Sequence, residues 1–80
     1  MVTEKDFIDK MIEILECGEE YTDVVKAVFF TWKELFKIEK GDPKAYAIAA
    51  HVYDQATPED EYSIDLREGF IMDLFSTFDL

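Results

Sequence analysis

VVKAVFFTWKELFK, residues Val24 to Lys37, is the stretch whose reading decides the fold. Its β-branched and aromatic residues suit a strand as well as a helix. The spacing separates the two. Val25, Val28, Phe29, Trp32 and Phe36 recur at intervals of three and four, which stacks them on one helical face, and the closing KELFK is rich in helix formers. The stretch therefore predicts a helix from Asp23 to Glu39, with Thr22 as its N-cap, Gly41 as its stop and Val24 and Leu35 on the same broad apolar face.

The same signals recur on either side. Upstream, Thr3 is an N-cap followed three residues later by Asp6, an acidic form of the capping box, and Gly18 ends the helix that starts at Glu4 and runs to Cys17. Phe7, Ile8, Met11, Ile12, Ile14 and Leu15 fall on one arc of that helix. Downstream, Asp42 caps a third helix with Pro43 at its first position, and Ala45, Ile48, Ala49, Val52, Tyr53 and Ala56 form its apolar stripe. Thr57 and Pro58, with Asp60 following, repeat the start signal. A fourth helix then runs on to Phe78 or restarts after Ser63, burying Leu66, Phe70, Ile71, Leu74, Phe75 and Phe78. Gly69 weakens an unbroken run by about 1 kcal/mol relative to Ala.

The expectation is an all-α, compact, four-helix bundle-like fold, with residues 1–80 as a single helical domain. Short connections make consecutive helices antiparallel neighbours. An apolar fraction of 49%, with seven Phe, four Tyr and one Trp, is too high for a disordered chain despite the net charge of −11. A chain of this length buries only about 60% of its unfolded surface, so the core is small.

A single cysteine, Cys17, excludes an internal disulfide framework, and a reducing, cytoplasmic location is the expectation. MVTEKDFIDK lacks the apolar region of a signal peptide. VVKAVFFTW is far shorter than the roughly 20 residues a membrane span requires.

The charge is uneven. Residues 1–44 hold 11 acids and 7 bases, net −4; residues 45–80 hold 8 acids and 1 base, Arg67, net −7. A pI of about 4.2 lacks the basic surface that nucleic acid or an anionic membrane needs, and suits a basic protein partner.

Metal and cofactor signatures are absent. No D-x-D-x-D-G loop, C-x-x-C or H-E-x-x-H occurs, and His51 and Cys17 each stand alone, so no metal, cofactor or catalytic residue is expected. Glu19-Glu20-x-x-Asp23 with Glu39-x-x-Asp42 resembles the paired acidic motifs of all-α nucleotide pyrophosphohydrolases of the MazG type, which implies helices facing one Mg²⁺ site. The first motif ends in Asp rather than Glu, and the second spans Gly41 and ends at a helix cap, which removes the shared face. The expectation is a protein that is not an enzyme.

Carboxylate rows are the most distinctive feature. Asp6, Asp9, Glu13 and Glu16 follow an i, i+3, i+7, i+10 pattern, and Glu61, Asp65 and Glu68 repeat the pattern on the last helix. Neighbours in such a row stand about 5–6 Å apart on a helix, and alignment of like charges costs a few tenths of a kcal/mol each. Duplex DNA also presents closely spaced negative charge. The functional expectation is a protein-binding protein that inhibits a nucleic-acid-binding protein or nuclease by carboxylate mimicry of phosphates, in a phage or plasmid anti-defence or toxin-immunity setting.

The alternative is a helical adaptor or assembly subunit. It would bind through Phe30, which lies outside the main stripe of its helix among Lys26, Lys33 and Lys37; burial of Phe30 is the competing structural reading. The same lysines meeting an acidic row would make a homodimer. Tyr46, Tyr53 and Tyr62 accompany the acidic region and serve either packing or binding.

Overall fold

The computed structural model, which describes residues 2–79, contains four α-helices: α1 (Glu4–Glu16), α2 (Thr22–Leu35), α3 (Pro43–Ala56) and α4 (Ile64–Phe75). Short 3₁₀ segments occupy Glu19–Tyr21, Glu59–Glu61 and Ser76–Asp79, and there is no strand among the described residues. The fold is all-α and four-helix bundle-like.

Local chemistry fixes three of the helix starts. At α1 the capping box is complete: the Asp6 amide donates to the Thr3 hydroxyl, and the Thr3 amide donates to Asp6 Oδ2 at 2.8 Å. The Lys44 amide donates to Asp42 Oδ1 at 2.9 Å, with Pro43 in the first turn of α3. Ser63 Oγ accepts from the Leu66 amide and starts α4. The fourth helix therefore restarts after Ser63. Thr57 does not cap it; its own amide donates to the Tyr53 carbonyl and closes α3, and the Thr57-Pro58 signal yields only one 3₁₀ turn.

The second helix departs most from expectation. Thr22 lies inside α2, and the preceding Tyr21 makes no side-chain cap. α2 ends at Leu35 rather than Glu39. Lys37 takes a left-handed φ of 58°, and the Ile38 amide reaches back to the Lys33 carbonyl at 2.9 Å. That six-to-one bond is the Schellman closure, with a lysine in the place glycine usually fills.

The early stop sets the topology. Seven residues, 36–42, join α2 to α3. At about 3.3 Å each they reach roughly 20 Å, more than the ~13 Å diagonal of helices packed about 9 Å apart. The chain uses that reach. α1 packs on α2 and α3, and α4 packs on α3 and α2, so α2 and α3 sit across the diagonal rather than side by side. Phe7 meets Phe36, which makes α1 and α2 antiparallel, and Tyr53 meets Phe70 while Tyr46 meets Phe75, which makes α3 and α4 antiparallel. Glu4 binds Lys44 at 2.6 Å, so α1 and α3 begin at the same end and run parallel.

The core consists of Met11, Val25, Phe29, Trp32, Ala45, Ala49, Val52 and Leu74, all without solvent exposure, with Tyr53, Phe70 and Ile71 nearly so. Each large apolar side chain buried this way contributes about 1.5–3 kcal/mol. Phe29 is the centre of the aromatic packing, with ring centroids 5.3 Å from Trp32, 6.0 Å from Phe78 and 6.5 Å from Phe75. Trp32 keeps its indole N–H satisfied by donating to Glu4 Oε1 at 3.2 Å. Ala45 and Ala49 on α3 are fully buried. Val24, Leu35 and Leu66, expected inside, are 47%, 57% and 53% exposed.

Candidate functional site

Pairing within the fold sorts the carboxylates into engaged and free. On α1, Asp6 is occupied by the capping box and Asp9 by Lys5 at 2.6 Å. Glu13 and Glu16 are exposed and make no ion pair among the described residues. Near the C-terminus, Glu68 is engaged: it accepts from the Tyr46 hydroxyl at 3.2 Å and lies 3.9 Å from an Arg67 nitrogen. Glu61 and Asp65 are exposed and unpaired among the described residues. Glu61 belongs to the 3₁₀ turn rather than to α4, so the second row is split between two elements.

Arg67 explains this division. Its Nε and Nη2 donate to the two oxygens of Asp54, at 2.9 and 3.4 Å, and Tyr62 donates to Asp54 Oδ1 at 3.0 Å. The guanidinium holds the Asp54 carboxyl below its ordinary range, with the Tyr62 hydrogen bond assisting against partial burial. Burial and the Asp54 bond push the Tyr62 hydroxyl up. The only base after Lys44 is thus directed to the α3–α4 seam and leaves Glu61 and Asp65 uncompensated.

Two adjoining hollows lie beside those free acids. The larger, about 670 Å³, runs between the C-terminal ends of α1 and α3 and the start of α4, with Leu15, Tyr53, Ala56 and Leu66 on its walls and Glu16 and Glu61 among its lining. The smaller, about 340 Å³, shares Leu15, Tyr53 and Leu66 and adds Asp65 and Asp73. Tyr53 fixes the boundary between them: its hydroxyl donates to the Ser63 carbonyl and accepts from the Ser63 amide, at 3.3 and 3.4 Å. Local fold chemistry thereby produces a groove of mixed polarity, with Leu15 and the exposed Leu66 set among carboxylates from α1, the 3₁₀ turn and α4.

Of the acids singled out in the sequence, the fold brings Glu16, Glu61 and Asp65 to this groove. Asp6 lies on a different groove, between α1 and α2. Asp73 and Leu66 were not expected there, whereas Tyr53 was read as accompanying the acidic region. Asp73 lies two helical turns beyond Asp65, the one signal in the sequence that connects them.

The basic face expected on α2 is not assembled. Lys33 is 8% exposed, its ammonium 4.4 Å from the Phe30 ring centroid and 5.2 Å from that of Phe78, with Glu34 at 3.0 Å. Lys37 lies beyond the helix end. Phe30 is half-buried beneath Lys33 and lines a shallow hollow with Asp23, Lys26 and Thr77.

The two acidic motifs that resemble a pyrophosphohydrolase site stand at opposite ends of α2, a helix of 14 residues and so roughly 20 Å long. Asp42 is used as a cap. Among the described residues, no three His, Cys, Asp or Glu side chains converge as a metal ion would require. No helix among those residues is long and apolar enough to cross a membrane. No family model, curated protein or solved structure matches the chain significantly.

Proposed function

We propose that this chain is an acidic binding protein that inhibits a nucleic-acid-binding protein or nuclease by occupying its basic surface. The observation that carries the reading is the groove in which Glu16, Glu61 and Asp65 stand unpaired beside an exposed Leu66, while Arg67 is held away by Asp54. Free carboxylates on short, rigid elements offer the partner's lysines and arginines the charge that a phosphate backbone offers. Leu15 and Leu66, set among them, add what phosphates lack, a place for one aliphatic or aromatic side chain of the partner at the centre of the contact. Electrostatic attraction speeds encounter and makes the complex sensitive to salt, while the apolar contact governs its lifetime.

The test is capture of partners on the immobilised chain at low and then moderate salt, with duplex DNA as competitor. The double variant Glu61→Lys/Asp65→Lys serves as control bait. The expected result is a basic protein released by salt and by DNA, and absent from the control bait. A partner retained equally by both baits and indifferent to DNA would refute the reading.

A further inference from the structure

The outer groove between α1 and α2 differs in charge from the acid-lined groove and adjoins the shallow hollow around Phe30, which is lined by one acid and one base as well. It measures about 450 Å³ and its walls are Val2, Phe7, Val24, Ala27, Val28 and Thr31. Val2 and Val24 are 59% and 47% exposed. Its only charged residues are Asp6 and Lys10, one of each sign, so the groove is locally neutral while the chain as a whole carries −11. It shares no residue with the acid-lined groove at the opposite end of α1.

From this charge pattern we infer that the α1–α2 groove is the interface of a twofold homodimer. Two chains of charge −11 repel each other, and a neutral apolar face is where that repulsion is least and burial gains most. A basic partner gains nothing here, because the one acid is balanced by Lys10. A second copy does gain, because the pattern is self-complementary. In an isologous contact, a twofold axis crossing α1 at the level of Ile8 sets residue i opposite residue 16 − i, so Asp6 of each copy faces Lys10 of the other. Lys10 makes no ion pair within its own chain among the described residues, and the capping box engages Asp6 through Oδ2 alone. On α2, an axis between Ala27 and Val28 likewise sets Val24 opposite Thr31, with the small Ala27 allowing close approach. Both acid-lined grooves stay free in such a dimer.

The experiment is sedimentation velocity of the full chain from about 1 to about 500 µM, with three variants whose helicity is checked by circular dichroism. The wild type should show a concentration-dependent dimer. Ala27→Glu, an exposed helical position, should be monomeric throughout. Lys10→Glu and Asp6→Lys should each weaken self-association by about tenfold or more, since each places like charges opposite one another twice. Mixing those two variants should restore a dimer, because the mixed pair is again complementary. A wild type that stays monomeric over the whole range overturns the inference, as does a dimer that Ala27→Glu leaves intact.

Discussion

Lys37→Gly should stabilise this protein, although it removes a side chain from a native chain. Lys37 sits at φ 58°, where an L-residue with a Cβ is crowded by about 1–2 kcal/mol. Glycine removes that strain but adds about 0.5–1 kcal/mol of backbone entropy to the unfolded chain. The Lys37 side chain is exposed and forms no ion pair among the described residues, so no side-chain contact offsets the change. The net expectation is a gain of about 0.5–1 kcal/mol, or roughly 2–8 °C in Tm for a domain of this size. Two companion variants locate the effect. Gly41 has neither a positive φ nor a neighbour within 4 Å of an added Cβ, so Gly41→Ala should be neutral or slightly stabilising. Gly18, at φ 135°, should lose stability on replacement by Ala. Thermal and urea melts of the three variants check the set. If Lys37→Gly destabilises and Gly41→Ala destabilises too, α2 continues to Glu39 and the diagonal crossing of the next segment is wrong.

Replacement of the α4 cap, Ser63→Ala, should cost about 0.5–2 kcal/mol, whereas Thr57→Ala should cost little because Thr57 makes its closing bond through its backbone; urea midpoints distinguish the two. Asp54 has a folded pKa below its unfolded value, so its contribution to stability is fully present above the ordinary carboxylate range and is lost as pH falls through the lowered folded pKa. Asp54→Asn should therefore destabilise at neutral pH, with the gap from wild type closing only below about pH 4, as read from melts across pH. Leu66→Ala, at an exposed position on the acid-lined groove, should leave the melting temperature nearly unchanged. It should shorten the lifetime of a captured complex without changing its salt dependence, as measured by surface binding kinetics.

The contrast between the two grooves follows from where the fold spends its bases. Lys44 goes to Glu4 across the α1–α3 seam, Lys33 is enclosed by Phe30, Phe78 and Glu34, and Arg67 is held by Asp54. These pairings are structural, and they leave the junction of α1, α3 and α4 acidic. Surface pairs such as Lys5–Asp9 add little to stability, so the distribution matters more for what the surface attracts than for how firmly the chain folds.

Sequence alone determined what is local. The capping box at Thr3, the Asp42-Pro43 start and the three-and-four spacing of Val25, Phe29 and Trp32 specify helices through contacts within a few residues, and the all-α class follows. Where α2 stops was not legible, because a lysine rather than a glycine takes the left-handed position, and the Ile38 bond that rewards it forms only once the chain turns toward α3. Thr57 carried the same start signal as Asp42 and lost to Ser63, because Tyr53, a neighbour in space from α3, holds the Ser63 backbone in place. The candidate site was half legible. The rows named the acids, but a row on one helix is blind to the partners other helices bring. Only tertiary packing paired Glu68 with Tyr46, set Asp6 on another groove, and gathered Glu16, Glu61 and Asp65 at one end of the bundle, since contacts across helices depend on which helices are adjacent.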